Sequence, residues 1–131
     1  MKVLVDANIF LAVILNEPEK SKIIKVTKNA ELISPSVLPY EIGNALSAIN
    51  KQKKLSHDAI CRCYQIYKQI PVRLIEIDIA NALTIALSYD IYAYDAYYLE
   101  LAKRLKLAIL SLDQKLIEVA HQMNLTCIEV K

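Results

Sequence analysis

Short apolar runs, rich in β-branched residues, alternate along this chain with longer segments of helical pattern. The runs are KVLVD at 2–6, ELISPS at 31–36, VRLIEID at 72–78, LAILSL at 107–112 and TCIEV at 126–130. A strand that is apolar on both faces must be covered on both, which is the habit of a parallel sheet. Helical patterns fill the intervals at 7–15, 19–29, 36–53, 56–69, 79–88, 95–104 and 114–123. Strand–helix alternation of this kind builds βαβ units. The sequence therefore predicts an α/β fold: a three-layer α/β/α arrangement around a central, mostly parallel sheet, with residues 1–131 as a single domain.

One glycine and four prolines in 131 residues leave little room for long loops. A chain of this length buries roughly two thirds of its unfolded surface, so it needs neither a disulfide framework nor a structural metal. The three cysteines, Cys61, Cys63 and Cys127, are odd in number and lack framework spacing, which fits a reducing cytosol. His57 and Cys61 stand four apart, but buried free thiols are a simpler account than half a zinc site. No secretory signal is visible and no apolar run reaches the length of a membrane span. The expectation is a soluble, cytoplasmic protein with no membrane partner. The formal net charge of +2 neither points to a nucleic-acid partner nor excludes one, since an acidic cluster would mask local basic patches.

Four acids stand out by position. Asp6 ends the first apolar run and Asp113 ends LAILSLD, whereas Glu41 lies early in the helix after ELISPS and Asp95 opens another helix. In an open parallel sheet the functional crevice lies beyond the carboxyl ends of the strands. Helix N-termini face the same end, and their dipoles favour a carboxylate there. All four acids can therefore converge. Together they repel one another unless a cation is present, and with Mg²⁺ or Mn²⁺ they would form a hydrolytic site for phosphodiesters. Asn8, Ser111 and Asn44 each sit two residues or one helical turn from an acid, where they would serve as hydrogen-bonding support. Taken singly, each acid has a plainer reading: Asp6, Asp95 and Asp113 as helix N-caps, Glu41 as a solvated helix residue. Asp90 reads as a left-handed helix C-cap and is set aside as structural.

The strings VDAN (5–8), YEIGNAL (40–46), AYDAYYLELAKRL (93–105) and LSLD (110–113) resemble the PIN domain, most of all the VapC-type ribonuclease toxins of toxin–antitoxin systems. The order and spacing agree along the whole chain. The resemblance implies a PIN-like fold and a metal-dependent endoribonuclease with Asp6, Glu41, Asp95 and Asp113 as metal-ligating and catalytic acids. It also implies an Mg²⁺ or Mn²⁺ cofactor, an RNA substrate, a cognate antitoxin protein and a homodimer. Ser111 matches the family's small polar residue before the last acid, and Asn44 its Asn after the helix Glu. Asp90 and Ile91 stand where the family often has a turn residue such as Gly, and Ile9 where others carry Ser or Val. Neither departure touches a carboxylate. Alternative readings are an RNA-processing or DNA-acting nuclease outside a toxin system, a catalytically silent module binding RNA or protein, and a phosphatase of small metabolites. The last is disfavoured by the lack of a Gly-rich phosphate loop.

The remaining features read as structural first. Lys51, Lys53 and Lys54, and Lys103, Arg104 and Lys106, are expected at solvated helix ends. Tyr89, Tyr92, Tyr94, Tyr97 and Tyr98 crowd around Asp95 and are expected to pack in the core or an interface, with one ring lining the substrate path. Gly43, inside a helix, is expected to admit close approach of a neighbouring helix or a substrate.

Overall fold

The computed structural model describes residues 1–130. Among these, four strands are joined by seven helices: β1 (Lys2–Val5), α1 (Ala7–Ile14), α2 (Lys20–Thr27), β2 (Glu31–Pro35), α3 (Leu38–Lys51), α4 (His57–Gln69), β3 (Arg73–Ile75), α5 (Ile79–Tyr89), α6 (Ala93–Leu105), β4 (Ala108–Leu110) and α7 (Gln114–Gln122). All strands are parallel, in the order β3-β2-β1-β4. The period-two alternation of a strand sorts the apolar residues onto two faces. Leu4, Ile33 and Ile109 pack with α5, α6 and α7 on one side, while Val3, Val5 and Leu110 pack with α1, α3, Ile23 of α2 and Tyr67 of α4 on the other. This is the expected three-layer α/β/α architecture.

The chain adds strands outward from β1 to β3 and then crosses back to place β4 on the other side of β1. The sheet's switch point therefore lies between the ends of β1 and β4. Two bonds fix the end of β1 there. The Asp6 N–H donates to the Leu110 carbonyl at 3.0 Å, and the fully buried Ser34 hydroxyl donates to the Val5 carbonyl at 2.6 Å, beyond Leu4, the last β1 residue paired with β2.

Three expectations change. The segment 126–130 makes one bridge, Cys127 with Ile109, and not a full strand. β4 is only three residues long and its chain turns away toward Asp113, so the edge beside it offers little to pair with. Asp95 does not open its helix, because α6 begins two residues earlier at Ala93, with an extended Tyr92 as cap. Arg104 is not simply solvated. It clamps the buried Glu100 carboxylate at 2.8 and 3.1 Å and donates to the Glu76 carbonyl at 2.8 Å. Glu100 also accepts from the Asp78 N–H at 2.8 Å, which ties α6 to the connection between β3 and α5. Asp90 does adopt the expected left-handed cap, with φ 54° and ψ 52°.

Replacing Ser34 with Ala should leave the Val5 carbonyl buried without its donor. Urea unfolding should show a loss of about 1–3 kcal/mol with the native fold retained.

A candidate active site of four carboxylates

Asp6 is 7% exposed and bonded on both oxygens. Its Oδ1 accepts from the Ala7 N–H at 2.7 Å, capping α1, and its Oδ2 accepts from the Ser111 hydroxyl at 2.7 Å and the Asn8 amide at 3.2 Å. Asn8 in turn accepts from the Leu112 N–H at 3.1 Å, and Ser111 from the Asp113 N–H at 3.0 Å. The two small polar residues thus lash the end of β1 to the end of β4. Asp113 caps α7, its Oδ1 accepting from Lys115 and Leu116 N–H at 2.9 and 3.3 Å, which leaves Oδ2 free of that duty. The capping and site readings of Asp6 and Asp113 are therefore compatible. Glu41 and Asp95 stand in the first turns of α3 and α6.

One cleft of about 540 Å³ gathers them. Asp6, Asn8, Glu41, Asn44, Asp95 and Asp113 all line it, and Tyr40 and Tyr94 stand at its sides. Ser111 lies behind Asp6 and does not reach the wall. Because α3 and α6 pack on opposite faces of the sheet, the cleft is closed in from both outer layers.

The acids sense one another. Burial, then repulsion from Asp95 and Asp113, pushes the Asp6 carboxyl up to about 6, against the lowering pull of its Ser111 and Ala7 hydrogen bonds. Burial pushes Glu41 up to about 7, with Asp6 and Asp95 adding repulsion. Asp95 rises through burial and the nearness of Asp113, partly offset by Lys115. Beneath them the Tyr98 hydroxyl, buried and facing Glu41 and Asp6, is held well above the usual phenol range. Glu41 Oε1 and the Tyr98 hydroxyl are close enough to perturb each other, yet neither makes a hydrogen bond of proper geometry.

This arrangement suits a hard cation. The donors are all oxygen, as Mg²⁺ or Mn²⁺ prefers, and a buried carboxylate oxygen without a partner is costly until something fills its lone pairs. As the side chains stand, no three acidic, His or Cys groups among the described residues lie close enough to hold one ion. Ligation therefore requires the carboxylates to turn inward.

Two residues escaped the sequence reading. Tyr40 was not singled out, although it immediately precedes Glu41 as Tyr94 precedes Asp95. Glu100 is a buried acid of structural use, outside the cleft. Of the five clustered tyrosines, Tyr98 is buried and Tyr89 and Tyr97 pack against the core, while Tyr92 and Tyr94 remain exposed. A side chain at Gly43 would meet nothing within 4 Å, so no neighbouring helix approaches there.

Fold and cleft together define an α/β domain whose polar centre is an acid cluster at the sheet's switch point. The chain belongs to the PIN domain family, whose profile matches residues 3–122. PIN domains are in general nucleases that use divalent metals. Its backbone is similar to that of PAE2754 from Pyrobaculum aerophilum, with a TM-score of 0.72 and 22% identity over 91% of this chain and 79% of that one. It is similar also to VapBC2 from Rickettsia felis, crystallised with a DNA fragment from their promoter, with a TM-score of 0.66 and 14% identity over 98% of both chains. A toxin–antitoxin complex from Klebsiella pneumoniae gives a TM-score of 0.60 at 17% identity, over 86% of this chain and 88% of that one. No curated protein matches the sequence.

The raised acids set the sign of a pH effect. In the folded protein Asp6 and Glu41 keep their protons to about pH 6 and 7, whereas the unfolded chain loses them from 3.8 and 4.5. Their contribution to stability is fully present below the unfolded values and is lost as pH rises through the folded ones. For Asp6 alone the loss is on the order of 3 kcal/mol. Without divalent cations, the melting temperature should fall as pH rises from 5 to 7.5. Asp95→Asn should raise it by roughly 2–5 °C at pH 7.5 by removing one repelling charge. Mg²⁺ or Mn²⁺ should stabilise the wild-type protein and leave the variant nearly unmoved. A melting temperature that climbs steadily over this range would contradict the assignment.

Proposed function

We propose that this chain is a metal-dependent endoribonuclease and the toxin of a VapBC-type toxin–antitoxin pair, acting in the cytoplasm. The observation that carries the nuclease reading is the set of four mutually repelling carboxylates, drawn from β1, α3, α6 and the end of β4 into one cleft. Membership of the PIN family supports hydrolysis of nucleic acid. The likeness to VapBC2 and to the Klebsiella complex supports a protein antitoxin as partner. RNA as the substrate rests on the resemblance of the four motifs to VapC-type toxins. Among the described residues no helix is long and apolar enough to cross a membrane.

In this reading Asp6, Asp95 and Asp113 would hold one or two Mg²⁺ or Mn²⁺ ions, and Glu41 would serve a second ion or its water. When bound, such an ion lowers the pKa of water and neutralises charge developing on the phosphate. The chain supplies the rest. Ser111, Asn8 and the Ala7 N–H fix the Asp6 carboxylate in place, so the inward turn that ligation needs falls to the other acids. Glu41, on the cleft wall, is placed to take the proton of the attacking water. The water oxygen then bonds to phosphorus as the bond to the ribose oxygen breaks, and that leaving oxygen takes a proton from solvent water to become a hydroxyl. Asn44 on the cleft wall is placed to orient a phosphate oxygen.

Purified protein should cut a mixed pool of tRNA, rRNA and mRNA-like transcripts into discrete fragments with Mg²⁺ or Mn²⁺, and not with EDTA. Asp95→Asn should lower the rate by at least about 100-fold. Metal-dependent cleavage at the wild-type rate by the variant would remove Asp95 from the site.

The resemblance also brings a second copy of the chain as partner. Ile79, Leu83 and Leu87 lie four apart on α5 and are exposed. Such a stripe is its own complement: antiparallel pairing about a two-fold axis sets Leu83 against Leu83 and Ile79 against Leu87. Sedimentation should then show a dimer that Leu83→Glu converts to monomer. A wild-type monomer, or a dimer that survives the substitution, would place the contact elsewhere or nowhere.

A further inference from the structure

The cleft has an outer pair of aromatic rings that the carboxylate chemistry does not use. Tyr40 is 77% exposed and Tyr94 is 55% exposed, and both line the same cleft as the acids. Each directly precedes a cleft acid, Glu41 or Asp95, in the first turn of its helix. Successive helical residues point about 100° apart, so in each pair the ring stands at the flank of the acid on the cleft wall. Since α3 and α6 belong to opposite layers, the rings border the carboxylates from two sides. The Tyr94 ring is also braced, meeting Tyr97 edge-to-face with centroids 5.6 Å apart and planes at 71°.

Resting on the nuclease reading, we propose that Tyr40 and Tyr94 are stacking platforms for the bases on either side of the scissile phosphate. A large ring with few rotatable bonds is costly to leave in water but well suited to stack on a flat partner. Bases within a duplex are stacked on one another and cannot take such a partner, whereas unpaired bases can be splayed onto aromatic faces. The usual grip on a nucleic-acid backbone comes from Lys and Arg, yet among the described residues the cleft is lined by Asp, Glu, Asn, Tyr, Ala and Leu with no basic side chain. Lys115, which acts on Asp95 electrostatically, is the cation this site does have nearby. Stacking fills the gap. Because every base has a π-face, the rings leave base identity to other contacts.

The test uses the full chain, Mn²⁺, and a set of short single-stranded RNAs carrying 2-aminopurine at successive internal positions, with the same strands in duplexes as comparison. Binding should quench the fluorophore, as stacking does. Tyr40→Ala and Tyr94→Ala should each weaken binding and raise KM by roughly tenfold, with less effect on kcat. Tyr40→Phe and Tyr94→Phe, which keep the ring, should recover most of the loss. The duplex should bind and react poorly. Alanine variants with wild-type quenching and KM, or a duplex processed as well as the single strand, would overturn the proposal and leave the rings for a protein contact. If the wild-type protein cuts nothing, the quenching still decides. Quenching that depends on the rings supports the platforms while the nuclease reading falls, and ring-independent binding rejects them.

Discussion

The Asp6 carboxylate is where the architecture and the electrostatics of this protein meet. It lies buried at the end of the central strand β1, and burial of an anion is tolerated only with good partners. Those partners come from both sides of the switch point: the Ala7 N–H and Asn8 amide from its own segment, the Ser111 hydroxyl from beyond β4. The same bonds that make the charge tolerable set β1 and β4 side by side at the mouth of the cleft. They do not fully satisfy it. Its proton affinity remains raised because Asp95 and Asp113 add repulsion to burial.

Once Asp6 is fixed, the rest of the site follows from helix starts. α1 begins on Asp6 itself and α7 on Asp113, each by a side-chain cap. α3 and α6, packed on opposite faces of the sheet, bring their first turns to the same end with one acid apiece. The helix dipoles favour negative charge at those positions, which lets the fold carry four carboxylates in one place. What the dipoles and hydrogen bonds leave uncompensated is concentrated at Glu41, whose buried Oε1 lacks a partner. A hard cation would remove both defects together, the mutual repulsion and the unfilled lone pairs. This makes the cation a structural as well as a chemical component of the account.

Much of this was legible in the chain. The apolar runs at 2–6 and 107–112 marked β1 and its neighbour β4 because a strand covered on both faces leaves no room for polar alternation, as Val3 and Val5 on one side of β1 and Leu4 on the other show. The four acids and their polar neighbours were legible because strand ends and helix starts are written locally. Most of what differed depended on tertiary partners. The segment 126–130 carries a strand-like composition, but strand length is set by the neighbour, and β4 offers little edge to pair. The start of α6 was misplaced because Tyr92 caps it without a side-chain bond, so no capping residue marks the sequence. Glu100 and Arg104, four apart, look like an exposed helix pair, and only the packing of α6 against the β3–α5 connection buries the acid. Tyr40 carried a signal that was available, an aromatic residue directly before a site acid as at Tyr94, but its exposure on the cleft wall is a fact of three dimensions.

The most direct test of the central claim is the number of protons released when the cation binds. Calorimetric titration of Mn²⁺ or Mg²⁺ into the protein at pH 6.5, repeated in buffers of different ionisation enthalpy, gives that number. With Asp6 and Glu41 holding protons to about pH 6 and 7, and with ligation requiring ionised carboxylates, binding should release about one proton per chain. The release should shrink toward zero by pH 8.5. Binding without proton release at pH 6.5, or no binding at any pH in this range, would contradict a site built from mutually raised carboxylates.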